Sequence, residues 1–199
     1  LLQAWQHIHQ QQPQQAEELL ISALHYPDNL SEGRLPGQTD NDIWFWLGIC
    51  ARQQGRDERA LECFHRAALG ERTINIHNYY NDQPVDYLFW QGIALRMLGE
   101  HSVSTRLFSD MLKWSQHMET EQMEADFFAV SQPDLLALYA DIQKQHREKC
   151  LFVRVLATAG LGGGARYEQA LSELETLNPA WAKAALFRQT IPFVQHLIN

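Results

Sequence analysis

An internal repeat with a period of 44 residues constrains the fold of this chain more than any other feature of its sequence. The segment 42–55 (DIWFWLGICARQQG) aligns with the segment 86–99 (DYLFWQGIALRMLG), and the two share seven identities at equal positions. The same spacing joins Phe64 to Phe108 and, one period earlier, Leu20 to Phe64. A fixed period without gaps indicates stacked structural units rather than a single irregular core.

Each copy of the repeat is predicted to be a pair of helices. Small and large apolar residues of the first helix recur at i, i+3, i+4 and i+7, the spacing of one helix face. In the first complete copy they are Trp44, Leu47, Gly48 and Ala51. Gly55 is placed to end this helix, and Ala60, Phe64 and Ala67 form the matching face of the second helix. Such a hairpin cannot bury both faces alone, so the copies are expected to stack into a solenoid.

This spacing resembles the tetratricopeptide (TPR) repeat, W-x2-L-G-x2-Y-x3-G-x4-A-x3-F-x2-A. The copy at 42–69 departs only at Ala51, and the copy at 86–113 departs at Gln91, Ser104 and Met111. A period of 44 is longer than the 34 residues of TPR repeats and is close to that of HEAT-type repeats. The excess lies in two joints rich in turn-forming residues, 26–41 and 70–85. The resemblance therefore implies TPR hairpins with long connecting loops, with HEAT-type repeats as the second choice.

The expected fold class is all-α, a TPR-like right-handed superhelix of about four hairpins in one domain spanning residues 1–199. The hairpins are predicted at about 1–25, 42–69, 86–113 and 141–178, with the turn of the last at Gly162–Gly164. Residues 180–198 are expected to form one or two closing helices, broken near Pro192. Because the sequence starts inside the first copy of the pattern, we expect it to be the C-terminal part of a longer protein.

A second resemblance concerns the wider context of the chain. The segment 126–136 (DFFAVSQPDLL), followed by a hairpin ending in LxxLNP, is similar to the C-terminal part of bacterial proteins of the YphG type. That resemblance implies a β-rich, mutarotase-like region preceding the TPR repeats and a link to carbohydrate metabolism. It implies no catalytic residues within this sequence.

Composition excludes several classes of function. The 24 acidic residues outnumber the 16 basic ones, giving a formal charge of −8, which argues against nucleic acid as a partner. No apolar run reaches membrane-spanning length, and the first residues lack the pattern of a signal peptide. Three cysteines in helical segments indicate buried free thiols in a reducing compartment, so the expected location is cytoplasmic.

The sequence contains no convincing catalytic, metal or cofactor motif. Gly160–Ala165 fits G-x-G-x-x-A, but the 34 residues that follow read as helices instead of the second strand that a dinucleotide site needs. The histidines lack paired ligand spacing, and a G-x-S-x-G elbow is absent. We therefore expect no enzyme activity, no metal and no cofactor in this chain.

The candidate site is the concave groove that the first helices of a TPR stack would line. The groove positions follow a single helical stripe at 0, +3, +7 and +10. The predicted partner-binding residues are Phe45, Ile49, Arg52, Phe89, Ile93 and Arg96. An apolar strip beside arginines suits an extended peptide or an acidic tail. The structural alternative is that the phenylalanines pack under the joints and the arginine stems lie along Trp46 and Trp90.

The expected function is a non-catalytic scaffold for protein–protein or intramolecular interaction. Its partner would be a protein or peptide, the N-terminal region of its own parent chain, or a second copy in a homodimer. The alternative is an accessory helical part of a larger carbohydrate-active enzyme. The joint 74–80 (INIHNYY) could fold into the groove and fill it.

Overall fold

A computed structural model describes residues 1–25, 38–74, 83–122 and 141–198 of the chain. Every regular element in those ranges is a helix. In chain order they are α1 (Leu2–His9), α2 (Pro13–Ala23), α3 (Asn41–Gln53), α4 (Asp57–Ala67), α5 (Asp86–Met97), α6 (His101–Met118), α7 (Ile142–Gly160), α8 (Ala165–Leu177) and α9 (Ala182–Ile198). Helices α1 to α8 pack as four consecutive pairs, and each pair also contacts the next one.

The two complete copies of the repeat interlock in the same way. A Cβ atom added at Gly48 would lie 2.5 Å from the ring of Phe64, and one added at Gly92 would lie 2.3 Å from the ring of Phe108. Both rings are fully buried. The expected small-against-large packing is therefore present at equivalent positions 44 residues apart, which confirms the all-α, TPR-like fold.

The fourth pair joins the stack through Phe108 as well. The ring of Phe108 lies against Gly160 at the end of α7, where a Cβ atom would come within 2.4 Å of it. The backbone then turns through Gly162, Gly163 and Gly164, which all have positive φ. Glycine adopts that conformation without the strain an L side chain would meet. Phe108 thus lies between the first helices of two successive hairpins.

A buried asparagine connects the end of one hairpin to its own start. Asn41, at the beginning of α3, donates hydrogen bonds to the carbonyl oxygens of Ala67 (2.8 Å) and Leu69 (2.7 Å) at the end of α4. Gln91 of α5 donates to the same Leu69 oxygen at 2.9 Å. These bonds satisfy carbonyls that the end of a helix leaves unpaired. Most of the two long joints, including 75–80 of the segment expected to enter the groove, lies outside the described residues.

The last helix is not placed as a simple end cap. α9 is continuous over Ala182–Ile198 with Pro192 inside it, so the expected break near Pro192 is absent. It contacts α7 and α8, as a closing helix would, but it also reaches α5, α3 and α1. Since one helix touches the first helices of all four hairpins, those helices curve around it.

Candidate functional site

The first helices present a set of rings to α9, which we call the inner surface: His9, Trp46, Phe89, Trp90 and Phe152. Each of them has a ring of α9 within 6.0 Å, measured between ring centroids. The shortest separation, 4.3 Å, joins His9 to Phe193. Tilted and edge-on ring pairs of this kind stabilise a contact beyond the apolar area that they bury.

The two phenylalanines of α9, Phe187 and Phe193, contact different parts of the inner surface. Trp181, just before the helix, lies 5.3 Å from Phe152. Phe187 lies 5.5–5.9 Å from Phe89, Trp90 and Phe152, and Phe193 lies 6.0 Å from Trp46. Six residues advance a helix by about 9 Å and turn it by about 240°, so Phe187 and Phe193 diverge by about 120°. α9 is therefore held from several sides.

A continuous apolar stripe completes the seating of α9. Ala184, Phe187, Ile191 and Val194 are at most 2% exposed and follow the i, i+3, i+7, i+10 spacing of one helix face. Residues outside this stripe, such as Lys183, Arg188 and His196, are exposed. The helix is therefore amphipathic, with its apolar side on the inner surface.

An acidic rim lies at the start of α3 and α5, formed by Asp40, Asp42 and Asp86. Burial, followed by the nearby charges of Asp86 and Asp40, raises the pKa of Asp42 to about 6. Among the described residues, Oδ1 of Asp42 is buried without a hydrogen-bond partner. Lys183 of α9 donates a hydrogen bond to Oδ1 of Asp86 at 2.8 Å. α9 thus brings a cation to a rim that is rich in carboxylates.

The structure buries the four apolar residues predicted to bind a partner. Phe45, Ile49, Phe89 and Ile93 are at most 1% exposed. Phe89 touches α9 directly through Phe187. Phe45 packs on Trp46 and Trp90 at 5.3 and 5.2 Å, so it supports the inner surface from beneath. These side chains are closed off from solvent with α9 in place.

The two predicted arginines occupy equivalent positions but make different contacts. Arg96 donates a hydrogen bond to the carbonyl oxygen of Gly160 at 2.7 Å, which caps the end of α7. Arg52 is exposed, and its nearest polar contact is the sulfur of Met97 at 4.0 Å. Their guanidinium groups lie over the rings of Phe64 and Phe108.

Sequence reasoning missed the two tryptophans of the inner surface that meet Phe193 and Phe187. Trp46 and Trp90 are identical across the repeat, but in the sequence-based interpretation they occur only in the structural alternative, as support for the arginine stems. One signal could have identified them: residues 43–51 (IWFWLGICA) contain no polar side chain, and the structure buries Phe45 to Ala51. A helix that is apolar on all sides must be covered on all sides. The sequence of α3 therefore already required another element on the inner surface.

Sequence reasoning also missed the pairing of Cys150 with His146, a combination that can act as a nucleophile and its base. The geometry of this pair does not support that catalytic role. Sγ of Cys150 lies 3.5 Å from Nε2 of His146. That same Nε2 lies 2.7 Å from the carbonyl oxygen of Met118, so it carries a hydrogen and donates it. It therefore cannot accept the thiol proton as a general base would. Burial raises the pKa of Cys150 to about 11, which keeps the thiol protonated.

A cleft of about 420 Å³ lies between α6, α7 and α8, and its lining includes Arg154, Arg166 and Glu173. Arg154, which lines it, pairs with Glu119 and lies 3.6 Å from Glu173. In the described ranges, no three His, Cys, Asp or Glu residues come together so that they could hold a metal ion. None of the helices in the same ranges has the length and apolar character needed to cross a membrane.

Comparison with known proteins agrees with this architecture. The model of the tetratricopeptide repeat family matches residues 42–69, which cover α3 from its second residue, all of α4 and the two residues after it. No solved structure matches the chain. Tetratricopeptide repeats generally mediate protein–protein interaction and are typically non-catalytic. The match supports the assignment of a tetratricopeptide repeat. The resemblance to YphG-type proteins stays a prediction. The chain therefore has an all-α, TPR-like helical repeat fold with a tetratricopeptide repeat at residues 42–69.

Proposed function

We propose that this chain is a non-catalytic interaction module that binds a protein segment along its inner surface. The observation that carries the proposal is the seating of α9: its rings contact the first helices of four hairpins. A surface that holds one amphipathic helix in this way has the shape and chemistry to hold a protein segment.

The predicted site residues take distinct roles in this proposal. Phe89 belongs to the inner surface that a bound segment would touch, since it already contacts Phe187. Three of the predicted residues support the inner surface from beneath, because they are buried among neighbouring helices: Phe45, Ile49 and Ile93. Arg52, exposed at the end of α3, is available to an acidic group of a partner.

Charge and thiol content favour a protein partner in a reducing compartment. The formal charge of −8 disfavours nucleic acid. Cys50, Cys63 and Cys150 are free and buried, which suits the cytoplasm. The partner segment could belong to another protein or to a preceding region of the same parent chain.

Site-specific photo-cross-linking tests this proposal. A photoreactive amino acid is placed at Arg52 and, as a matched control, at Thr105, an exposed position of α6 on a second helix. We expect one and the same protein to be cross-linked from position 52 in cells and not from position 105. Cross-linking from position 105 alone, or equally from both, would contradict binding through the first helices.

A further inference from the structure

The contacts of α9 describe the kind of segment that the inner surface accepts. Phe187 enters between Phe89, Trp90 and Phe152, and Phe193 reaches Trp46 and His9. These two rings are six residues apart on one helix. A competing segment must present rings with the same separation, since the first helices fix the distance between the two places that receive them.

Charge adds a second requirement. Asp86 is 14% exposed and lies with Asp40 and Asp42 at the rim, while Lys183 supplies a positive charge at 2.8 Å. Lys183 stands four residues before Phe187, one helical turn away on the same side. A carboxylate-rich rim favours a basic residue at that place and disfavours an acidic one.

Several features on the solvent side of α9 weaken its hold on the inner surface. The Lys183 side chain is 49% exposed, and the ion pair between Arg188 and Glu175 is also open to solvent, so water and salt weaken both. Pro192 cannot donate the backbone hydrogen bond that the carbonyl of Arg188 would accept in a regular helix. Only residues 178–181 connect α9 to α8. A short tether keeps α9 at high effective concentration, so wild-type α9 outcompetes weak ligands.

We propose that the inner surface recognises an amphipathic helix of a partner protein that carries a basic residue, an aromatic residue four positions later and a second aromatic residue six positions after that. Such a helix takes the place of α9, which holds the site until the partner arrives. This inference rests on the proposed function and specifies its partner class.

A charge exchange between chain and peptide tests the inference. The full chain carries Asp86→Lys, which places a second ammonium group opposite Lys183 and loosens α9. Fluorescence anisotropy then measures the binding of two labelled peptides of residues 181–198, one with the native sequence and one with Lys183→Glu. We expect the Lys183→Glu peptide to bind the Asp86→Lys chain about fivefold tighter than the native peptide does.

Two control chains separate this effect from unspecific charge changes. The double variant Asp86→Lys/Lys183→Glu restores the ion pair within the chain, so it should exclude both peptides. Lys113→Glu alters an exposed charge on α6 and should bind the two peptides as the wild-type chain does. A peptide with Phe187→Ala and Phe193→Ala should lose most of its binding.

Specific results would overturn the inference. Equal binding of the two charged peptides to the Asp86→Lys chain would show that the acidic rim does not select the charge of the bound helix. If neither peptide binds that chain while its circular dichroism shows that it is folded, then the inner surface does not bind a helix of this kind. A dimer of the Asp86→Lys chain in light scattering would place a second copy in the site instead. In each case, cross-linking of a partner from position 52 would leave the broader interaction function standing.

Discussion

At the scale of single residues, Gly92 is a position where one added methyl group would collide with a buried ring. Its Cβ would lie 2.3 Å from Cζ of the buried Phe108 ring. We expect Gly92→Ala to lower the free energy of unfolding by about 1–3 kcal/mol in urea denaturation, although alanine is intrinsically the better helix former. Phe108→Leu should recover part of that loss in the double variant. A net stabilisation by Gly92→Ala alone would contradict the interlocked packing.

The two equivalent arginines should differ in their effect on stability. Arg96 donates to the Gly160 carbonyl oxygen at the end of α7, whereas Arg52 is exposed. We expect Arg96→Ala to cost about 1–2 kcal/mol of unfolding free energy. Arg52→Ala should change it by less than about 0.5 kcal/mol. Thermal and urea unfolding of both variants measure this, and equal losses would mean that Arg96 does not hold α7.

Asp42 should make the stability of the chain depend on pH. Its pKa is about 6 in the folded protein, above the ordinary value of 3.8, so the folded state binds this proton more tightly. The stability it contributes is complete below about pH 4 and is lost as pH rises through 6, by up to about 3 kcal/mol.

The substitution Asp42→Asn isolates that dependence. We expect this variant to have a higher unfolding free energy than the wild type at pH 8, and the difference to shrink between pH 6 and pH 4. Asp110→Asn, which changes an exposed carboxylate on α6, serves as the control and should leave the pH profile unchanged. A pH profile of Asp42→Asn that parallels the wild type would show that this carboxylate is not destabilised in the fold.

At the scale of elements, α9 depends on the rings that it places on the inner surface. Phe187 is 2% exposed, and Phe187→Ala should lower the unfolding free energy by about 3–5 kcal/mol through lost contacts and an unfilled cavity. The exposed Gln189 is the matched control on the same helix, and Gln189→Ala should be nearly neutral. Similar unfolding free energies for the two variants would mean that α9 is only loosely attached.

The sequence predicts the elements well because their signals are local. Gly48 and Phe64 share a hairpin, so their spacing is enough to predict the turn and the matching faces. The bounds of α7 and α8 follow from the apolar pattern and from Gly162–Gly164 in the same way. The position of α9 is not a local property: its stripe predicts an amphipathic helix, but the curvature of the whole stack decides which surface receives it.

At the scale of the whole molecule, the chain is a curved stack that encloses its own last helix. That arrangement explains why Phe89, predicted from the sequence as part of an open binding strip, is covered by Phe187 of α9. The other three residues of that strip, Phe45, Ile49 and Ile93, are buried among the neighbouring helices. The repeat correctly placed them on the first helices. It could not show that α9 would cover this side, since covering depends on contacts between residues far apart in the sequence, such as His9 and Phe193.

The most direct test of this architecture is the proximity of α9 to the second and third hairpins in solution. Nuclear Overhauser spectra of the labelled chain should show contacts between the rings of Phe193 and Trp46, and between those of Phe187 and Trp90, whose centroids are 6.0 and 5.9 Å apart. Contacts of the α9 rings with α7 and α8 alone would place the helix at the end of the stack and contradict an occupied inner surface.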